Sequence, residues 1–147
     1  MDKKSYIGIL GGTFDPPHDG HVFISKSALI KLDLDEIWWI VTSQNPLKKK
    51  SSKFSDRVKV ASNFISNSKI KVEKIDENYT RFSIDTILFL KKKYPNINFV
   101  WIMGLDNLFN FQEWKDWKKI FYNIPIAIFH RPLYSFTLTK FKSLVYF

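Results

Sequence analysis

This 147-residue sequence predicts an α/β fold, a parallel sheet wound on both faces by helices. Three observations carry that prediction. Short apolar runs of strand length alternate with longer amphipathic runs along the chain. The runs at 5–10 and 98–103 are apolar almost without alternation, as strands buried on both faces are. Polar segments bearing glycine or proline follow the carboxyl ends of these runs, which is where such sheets hold their ligands.

Taken in order, residues 5–10 form the first strand, and a helix is expected over 20–31 with Asp19 as its N-cap. Ile-Trp-Trp-Ile-Val-Thr at 37–42 reads as the second strand and runs into a polar loop, 43–52, in which Pro46 prevents continuation. Ser55 is placed to cap a helix ending near residue 65, and 70–72 is a short third strand. A helix from Ser83 gathers Ile84, Ile87, Leu88 and Lys91 on one side and ends before Pro95. After the fourth strand, 104–111 reads as a turn with a short helix and 116–121 as another. The fifth strand is expected over 124–130, with Pro125 among its first residues, where a missing N–H costs least. Strands and helices alternating in this way make a parallel sheet covered on both faces. Four polar segments then converge on one rim: the glycine turn at 11–21, the loop at 43–50, residues 104–106, and His130-Arg131.

Apolar residues make up 45% of the chain and aromatic residues 17%, enough for a core and against general disorder. There is no cysteine, which excludes disulfides and thiolate metal sites and is compatible with a reducing compartment. No apolar run reaches the ~18 residues of a membrane span, and a strand begins too early for a signal peptide. A cytoplasmic protein without membrane attachment is expected. Lys and Arg outnumber Asp and Glu by 23 to 14, a net charge of +9. That field attracts anions. Runs such as Lys48-Lys49-Lys50 and Lys91-Lys92-Lys93 read as solvated surface, and no nucleic acid partner is expected.

Gly11-Gly12-Thr13-Phe14-Asp15-Pro16-Pro17-His18-Asp19-Gly20-His21 carries the chemistry. A strand, a glycine turn and a helix start in that order supply amides and positive potential for phosphate oxygens. Gly11 and Gly12 let the strand turn without a Cβ clash, Gly20 leaves space for a ligand to approach the backbone, and the amides near Thr13 and Phe14 can face a phosphate. Asp15-Pro16-Pro17 stiffens the loop. His18 and His21, three apart across the helix start, can set their rings side by side. Taken singly, each histidine is also readable as a surface residue of a turn capped by Asp19. A metal site is less well supported, because the third ligand that a catalytic zinc needs is not evident.

This stretch closely resembles the signature of the nucleotidyltransferase superfamily with the His-x-Gly-His motif, in its bacterial nicotinate-nucleotide adenylyltransferase branch. The resemblance covers residues 5–132. Asn45-Pro46-Leu47-Lys48 looks like the family's loop after the second strand, and Arg57 matches the basic residue opening the next helix. Thr80-Arg81-Phe82-Ser83-Ile84-Asp85-Thr86 resembles the aromatic-Thr-x-Asp-Thr segment, with Phe82 and Ser83 where Tyr and Thr are usual. Gly104-Leu105-Asp106 with Trp114 matches the family's Gly-x-Asp and downstream Trp, and His130-Arg131-Pro132 its basic residue and proline.

The resemblance implies a Rossmann-like sheet of nucleotidyltransferase type. It also implies transfer of AMP from ATP to nicotinate mononucleotide, giving deamido-NAD and pyrophosphate, with Mg²⁺ carried on the ATP. It assigns His18 and His21 to catalysis, His21 to the α-phosphate and His18 nearby. ATP and its phosphates fall to Gly11, Gly12, Thr13, Phe14, Gly104, Asp106 and Arg131. The nicotinate nucleotide falls to Lys48, Phe82, Ser83, Asp106 and Trp114. Trp114 is also readable as packing within Phe109, Phe111 and Trp117, and Trp38 and Trp39 read as packing residues. One feature departs from the pattern: the family's Ser-Ser-Thr-x-x-Arg phosphate segment has no match, and 133–147 reads as a divergent tail after a domain of 1–132. A shortened member with impaired transfer is therefore expected. Transfer to another phosphorylated acceptor, and a catalytically weak nucleotide-binding protein, are the alternatives.

Overall fold

The computed structural model describes residues 5–43 and 53–130. Five strands, β1 (Ser5–Gly12), β2 (Glu36–Val41), β3 (Ile70–Val72), β4 (Ile97–Gly104) and β5 (Ile126–Phe129), form one sheet in the order β3-β2-β1-β4-β5. Every neighbouring pair is parallel. The predicted doubly wound architecture is therefore present. Its strand order reverses between β1 and β4, leaving a crevice at their carboxyl ends.

Helices α1 (Asp19–Lys31) and α2 (Phe54–Phe64) cover one face, over a core that includes Leu10, Ile24, Ala28, Ile37, Trp39, Ala61 and Ile102. Helices α3 (Ser83–Lys93) and α4 (Trp117–Asn123) cover the other, over Ile9, Trp38, Ile40, Ile87, Leu90, Trp101, Met103 and Ile120. Strand alternation sends the adjacent tryptophans of β2 to opposite cores. Both are buried, so the packing reading of Trp38 and Trp39 holds.

Several local expectations are corrected. The N-cap of α1 is His18, not Asp19: its Nδ1 accepts the Gly20 N–H at 3.1 Å, which leaves Asp19 in the first helical turn. The helix α2 opens at Phe54 with Lys53 as N-cap and no side-chain cap, so Ser55 does not cap it. On α3 the buried apolar line is Ile84, Ile87 and Leu90; Leu88 and Lys91 are exposed, because a spacing of three keeps the stripe on the sheet side. The fifth strand is shorter than expected. Pro125 precedes it, and its carbonyl accepts the Trp101 N–H at 2.8 Å. After β4 the chain runs through a 3-10 segment, Leu105–Glu113, broken at Asn110. Among the described residues, no helix is long and apolar enough to cross a membrane.

Candidate active site

Gly11 and Gly12 do not make the turn expected of them: both are the last residues of β1, paired with Ile40 and Val41, and the chain turns only after Gly12. A Cβ on Gly11 would come 3.1 Å from the ring of Trp101, so an alanine there would push against the indole. Phe14 adopts a left-handed backbone, φ 49°, costly for a residue with a bulky side chain. Packing holds it there. Its ring is almost fully buried and stacks on Trp39 with centroids 4.6 Å apart. The Asp15–Pro16 peptide is cis.

That aromatic pair forms the platform for His21, whose ring lies 4.5 Å from Phe14 and 5.7 Å from Trp39. Trp39 Nε1 donates to Ser25 Oγ at 2.8 Å, and Ser25 Oγ donates to the His21 carbonyl at 2.8 Å. The first turn of α1 is thus pinned to the core through a buried hydroxyl.

The two imidazoles stack with centroids 3.8 Å apart. Their Nδ1 atoms are both engaged with backbone: His18 Nδ1 accepts from Gly20 N–H, and His21 Nδ1 accepts from His18 N–H at 3.1 Å. A ring accepting at Nδ1 carries its proton, when neutral, on Nε2. Reciprocal capping therefore sets the tautomer and the orientation of both rings, and each cap bond of this kind is worth roughly 1 kcal/mol. The side-by-side placement expected from the spacing is what the helix start produces.

At the carboxyl end of β4, Gly104 is buried, and a Cβ on it would meet Asp106 Oδ1 at 2.6 Å. The missing side chain lets the Asp106 carboxylate fold back over the strand end. Asp106 is exposed and has no hydrogen-bond partner among the described residues. Trp114 is half-buried, edge-on to Trp101 at 6.4 Å and tilted against Phe111 at 5.0 Å. Trp101 therefore reaches from beneath Gly11 to Trp114. Its own Nε1 is buried without a partner among the described residues.

Phe82 and Ser83, both half-buried, lie at the N-cap and first residue of α3. Arg81 and Lys115 stand over the Phe82 ring at 5.2 and 4.7 Å, which gives this segment positive potential. Thr13 is half-buried, and its carbonyl accepts from Arg57 at 3.0 Å. Lys48 and Arg131 lie outside the described residues, as do most of the 43–52 loop and all of 133–147.

The structure thus brings together Gly11, Gly12, Thr13, Phe14, His18 and His21 at the end of β1, and Gly104 with Asp106 at the end of β4. Sequence reasoning gave Trp39 no role beyond packing, gave Arg57 and Thr80 only a family match, and overlooked Ser25. The available signal was polarity on element faces that otherwise point inward: Ser25, Arg57, Thr80 and Thr86 are the buried polar residues of the described chain.

A parallel sheet with a glycine turn and a stacked histidine pair at its switch point defines the nucleotidyltransferase class of α/β domains. A cytidylyltransferase-like family model matches residues 9–145. A "Probable nicotinate-nucleotide adenylyltransferase" of Ruegeria sp. (strain TM1040) is 42% identical over 128 residues, 86% of this chain and 68% of its own. The protein of the same description from Mesorhizobium japonicum is 37% identical over 147 residues, 98% of this chain and 74% of its own. Among solved structures, a Vibrio parahaemolyticus protein assigned to the nicotinate-nucleotide adenylyltransferases superposes with a TM-score of 0.73 at 19% identity, covering 92% of this chain and 79% of its own. The Plasmodium falciparum nicotinic acid mononucleotide adenylyltransferase complexed with NaAD gives 0.67 at 18% identity, covering 90% and 78%. These two structural likenesses concern the fold. On the strength of the sequence matches, the chain belongs to the nicotinate-nucleotide adenylyltransferase family, within the nucleotidyltransferases carrying the His-x-Gly-His motif.

Proposed function

We propose that this chain transfers the AMP moiety of ATP to the phosphate of nicotinate mononucleotide, releasing pyrophosphate and forming deamido-NAD. The observation that carries this reading is the stacked His18–His21 pair, held by reciprocal backbone caps at the switch point of the sheet. The acceptor's phosphate is already a nucleophile, so the protein needs to align the reactants and stabilise charge growing at the α-phosphorus. In the reaction, an oxygen of the acceptor phosphate forms the new bond to the α-phosphorus as the bond to the bridging oxygen of pyrophosphate breaks. His21 is assigned to the α-phosphate and His18 to phosphate oxygens beside it. Donors fixed on Nε2 before the reaction need no reorganisation as the charge develops. The turn at Gly11, Gly12, Thr13 and Phe14 takes the ATP phosphates, which bring Mg²⁺ with them as part of that substrate.

For the acceptor, Trp114 offers a face for the pyridine ring, and Ser83 with the neighbouring α3 amides takes its carboxylate. Phe82, with Arg81 and Lys115 over its ring, lines that approach. Asp106, turned back over Gly104, is suited to a ribose hydroxyl, with Gly104 giving the approach. Lys48 and Arg131 complete the expected phosphate and carboxylate contacts. The relatives described as nicotinate-nucleotide adenylyltransferases support the choice of acceptor.

Pyrophosphate release from Mg·ATP with a panel of acceptors tests the reading. Turnover with nicotinate mononucleotide alone supports it. Preference for nicotinamide mononucleotide or pantetheine phosphate moves the assignment to another acceptor, and no turnover with any of them leaves a nucleotide-binding protein.

A further inference from the structure

Arg57 projects from the first turns of α2 and is 3% exposed. A guanidinium so placed must find acceptors. Its Nη1 donates to the Thr13 carbonyl at 3.0 Å, inside the turn after β1, and to the Thr42 carbonyl at 2.6 Å, just past β2. Burial pulls its pKa down, while the carboxylates of Asp15, in the same turn as Thr13, and Glu77, in the 3-10 turn Glu77–Tyr79, act in the opposite sense. The charge therefore lies between two segments 62 residues apart in sequence, the difference between 77 and 15.

The contacts continue from there. The amide of Ser43, the next residue after Thr42, donates to Thr80 Oγ1 at 3.1 Å. Thr80 is 1% exposed, and its hydroxyl donates to the Glu77 carbonyl at 2.8 Å. Thr86, equally buried, donates to the Tyr79 carbonyl at 2.7 Å and so ties the 3-10 turn Glu77–Tyr79 to the first turn of α3. One continuous polar path thus runs behind the site, from the Thr13 carbonyl through Arg57, Thr42, Ser43 and Thr80 to the N-terminus of α3. Hydrogen bonds of this kind between short segments couple their positions, because displacing one segment strains or breaks the bonds that hold it to the next.

We propose that Arg57 and Thr80 are positioning residues that couple the two nucleotide subsites, so that a nucleoside triphosphate settling on the turn after β1 also orders the α3 N-terminus that receives the acceptor. The proposal rests on the subsite assignment given under Proposed function. Coupling of this kind is reciprocal: acceptor binding must tighten nucleoside triphosphate binding by the same factor by which the triphosphate tightens acceptor binding.

Hydrogen exchange on the full chain, with and without a non-transferable α,β-methylene analogue of ATP, tests it. In the wild type the analogue slows exchange both in peptides spanning 11–21 and in peptides spanning 77–86, the latter by about fivefold or more. Thr80→Val keeps the shape and removes the hydroxyl; it retains protection at 11–21 and loses it at 77–86, and Thr80→Ser restores it. Arg57→Met gives the same loss, and Arg57→Lys a partial return. A residue with only a structural role would lower the melting temperature and leave the transmitted protection of the folded protein unchanged. Protection confined to 11–21 in the wild type, or retained at 77–86 in Thr80→Val, overturns the proposal. Pyrophosphate release measured on the same preparation keeps the two readings apart: turnover without transmitted protection sinks the coupling alone, whereas transmitted protection without turnover supports the coupling and sinks the reaction.

Discussion

The turn after β1 and the N-terminus of α3 are held by different kinds of contact. In the turn, the two histidines are held by neighbours: His21 accepts from the His18 N–H, His18 accepts from the Gly20 N–H, and their rings stack three residues apart. Around α3, the partners come from afar. Thr80 meets Ser43 from 37 residues away, Lys115 covers Phe82, and Trp114 leans on Trp101. A local motif keeps its geometry wherever the helix forms, whereas an assembled one depends on every element that carries it. The comparison therefore predicts that substitutions in the turn act on the chemical step, and that substitutions around α3 act on acceptor binding.

The strongest test is His21→Ala. It removes the assigned contact to the α-phosphate, and kcat for pyrophosphate release should fall about 10²–10³-fold with far-UV circular dichroism retained. Unchanged turnover would place charge stabilisation elsewhere and erase the distinction between the two regions. Next comes Trp114→Ala, where loss of ring stacking should raise KM for nicotinate mononucleotide about tenfold to a hundredfold and leave KM for ATP within twofold. Equal effects on both substrates would mean that the assembled region also serves ATP.

Ser25→Ala sharpens the comparison from the local side. It strands Trp39 Nε1 in the core, so stability measured by urea unfolding should drop by about 1–3 kcal/mol, while the reciprocal caps preserve most of kcat. A collapse of kcat at full stability would show that the platform, not the capping, orients His21.

The smallest effect concerns Tyr94, next to the carboxyl end of α3. Its hydroxyl donates to Glu73 Oε1 at 2.7 Å, and this bond, with burial and the Glu73 charge, pushes its pKa up to about 12. A phenol whose folded pKa is raised above its unfolded value near 10 stabilises the fold fully below pH ~10 and loses that contribution as pH rises through 12. Thermal melts should show a decline between about pH 10 and 12 that is flatter in Tyr94→Phe than in the wild type, with turnover at neutral pH unaffected.

Much of this was legible in the residue order. Continuous apolar runs marked β1 and β4 because both are buried on two faces, and the His-x-x-His spacing set the rings side by side because a helix start does so. The caps were misread for a physical reason. Asp and Ser are the commoner capping residues, but at α1 an imidazole with Nδ1 as acceptor takes the place of Asp19, and at α2 the chain enters from Lys53 without a side-chain cap. Leu88 was placed inward by a four-residue step, whereas the sheet selects the three-residue line of Ile84, Ile87 and Leu90.

By itself the sequence determined the family, the alternation of strands and helices, and the turn that carries both histidines. These depend on contacts within about a dozen residues, where spacing is geometry. Only the tertiary structure decided that Phe14 and Trp39 form the platform under His21, that Trp101 joins Gly11 to Trp114, and that Arg57 and Thr80 tie one subsite to the other. Those contacts form between residues that no local period relates, because they exist only once the order β3-β2-β1-β4-β5 has brought the strand ends to one rim.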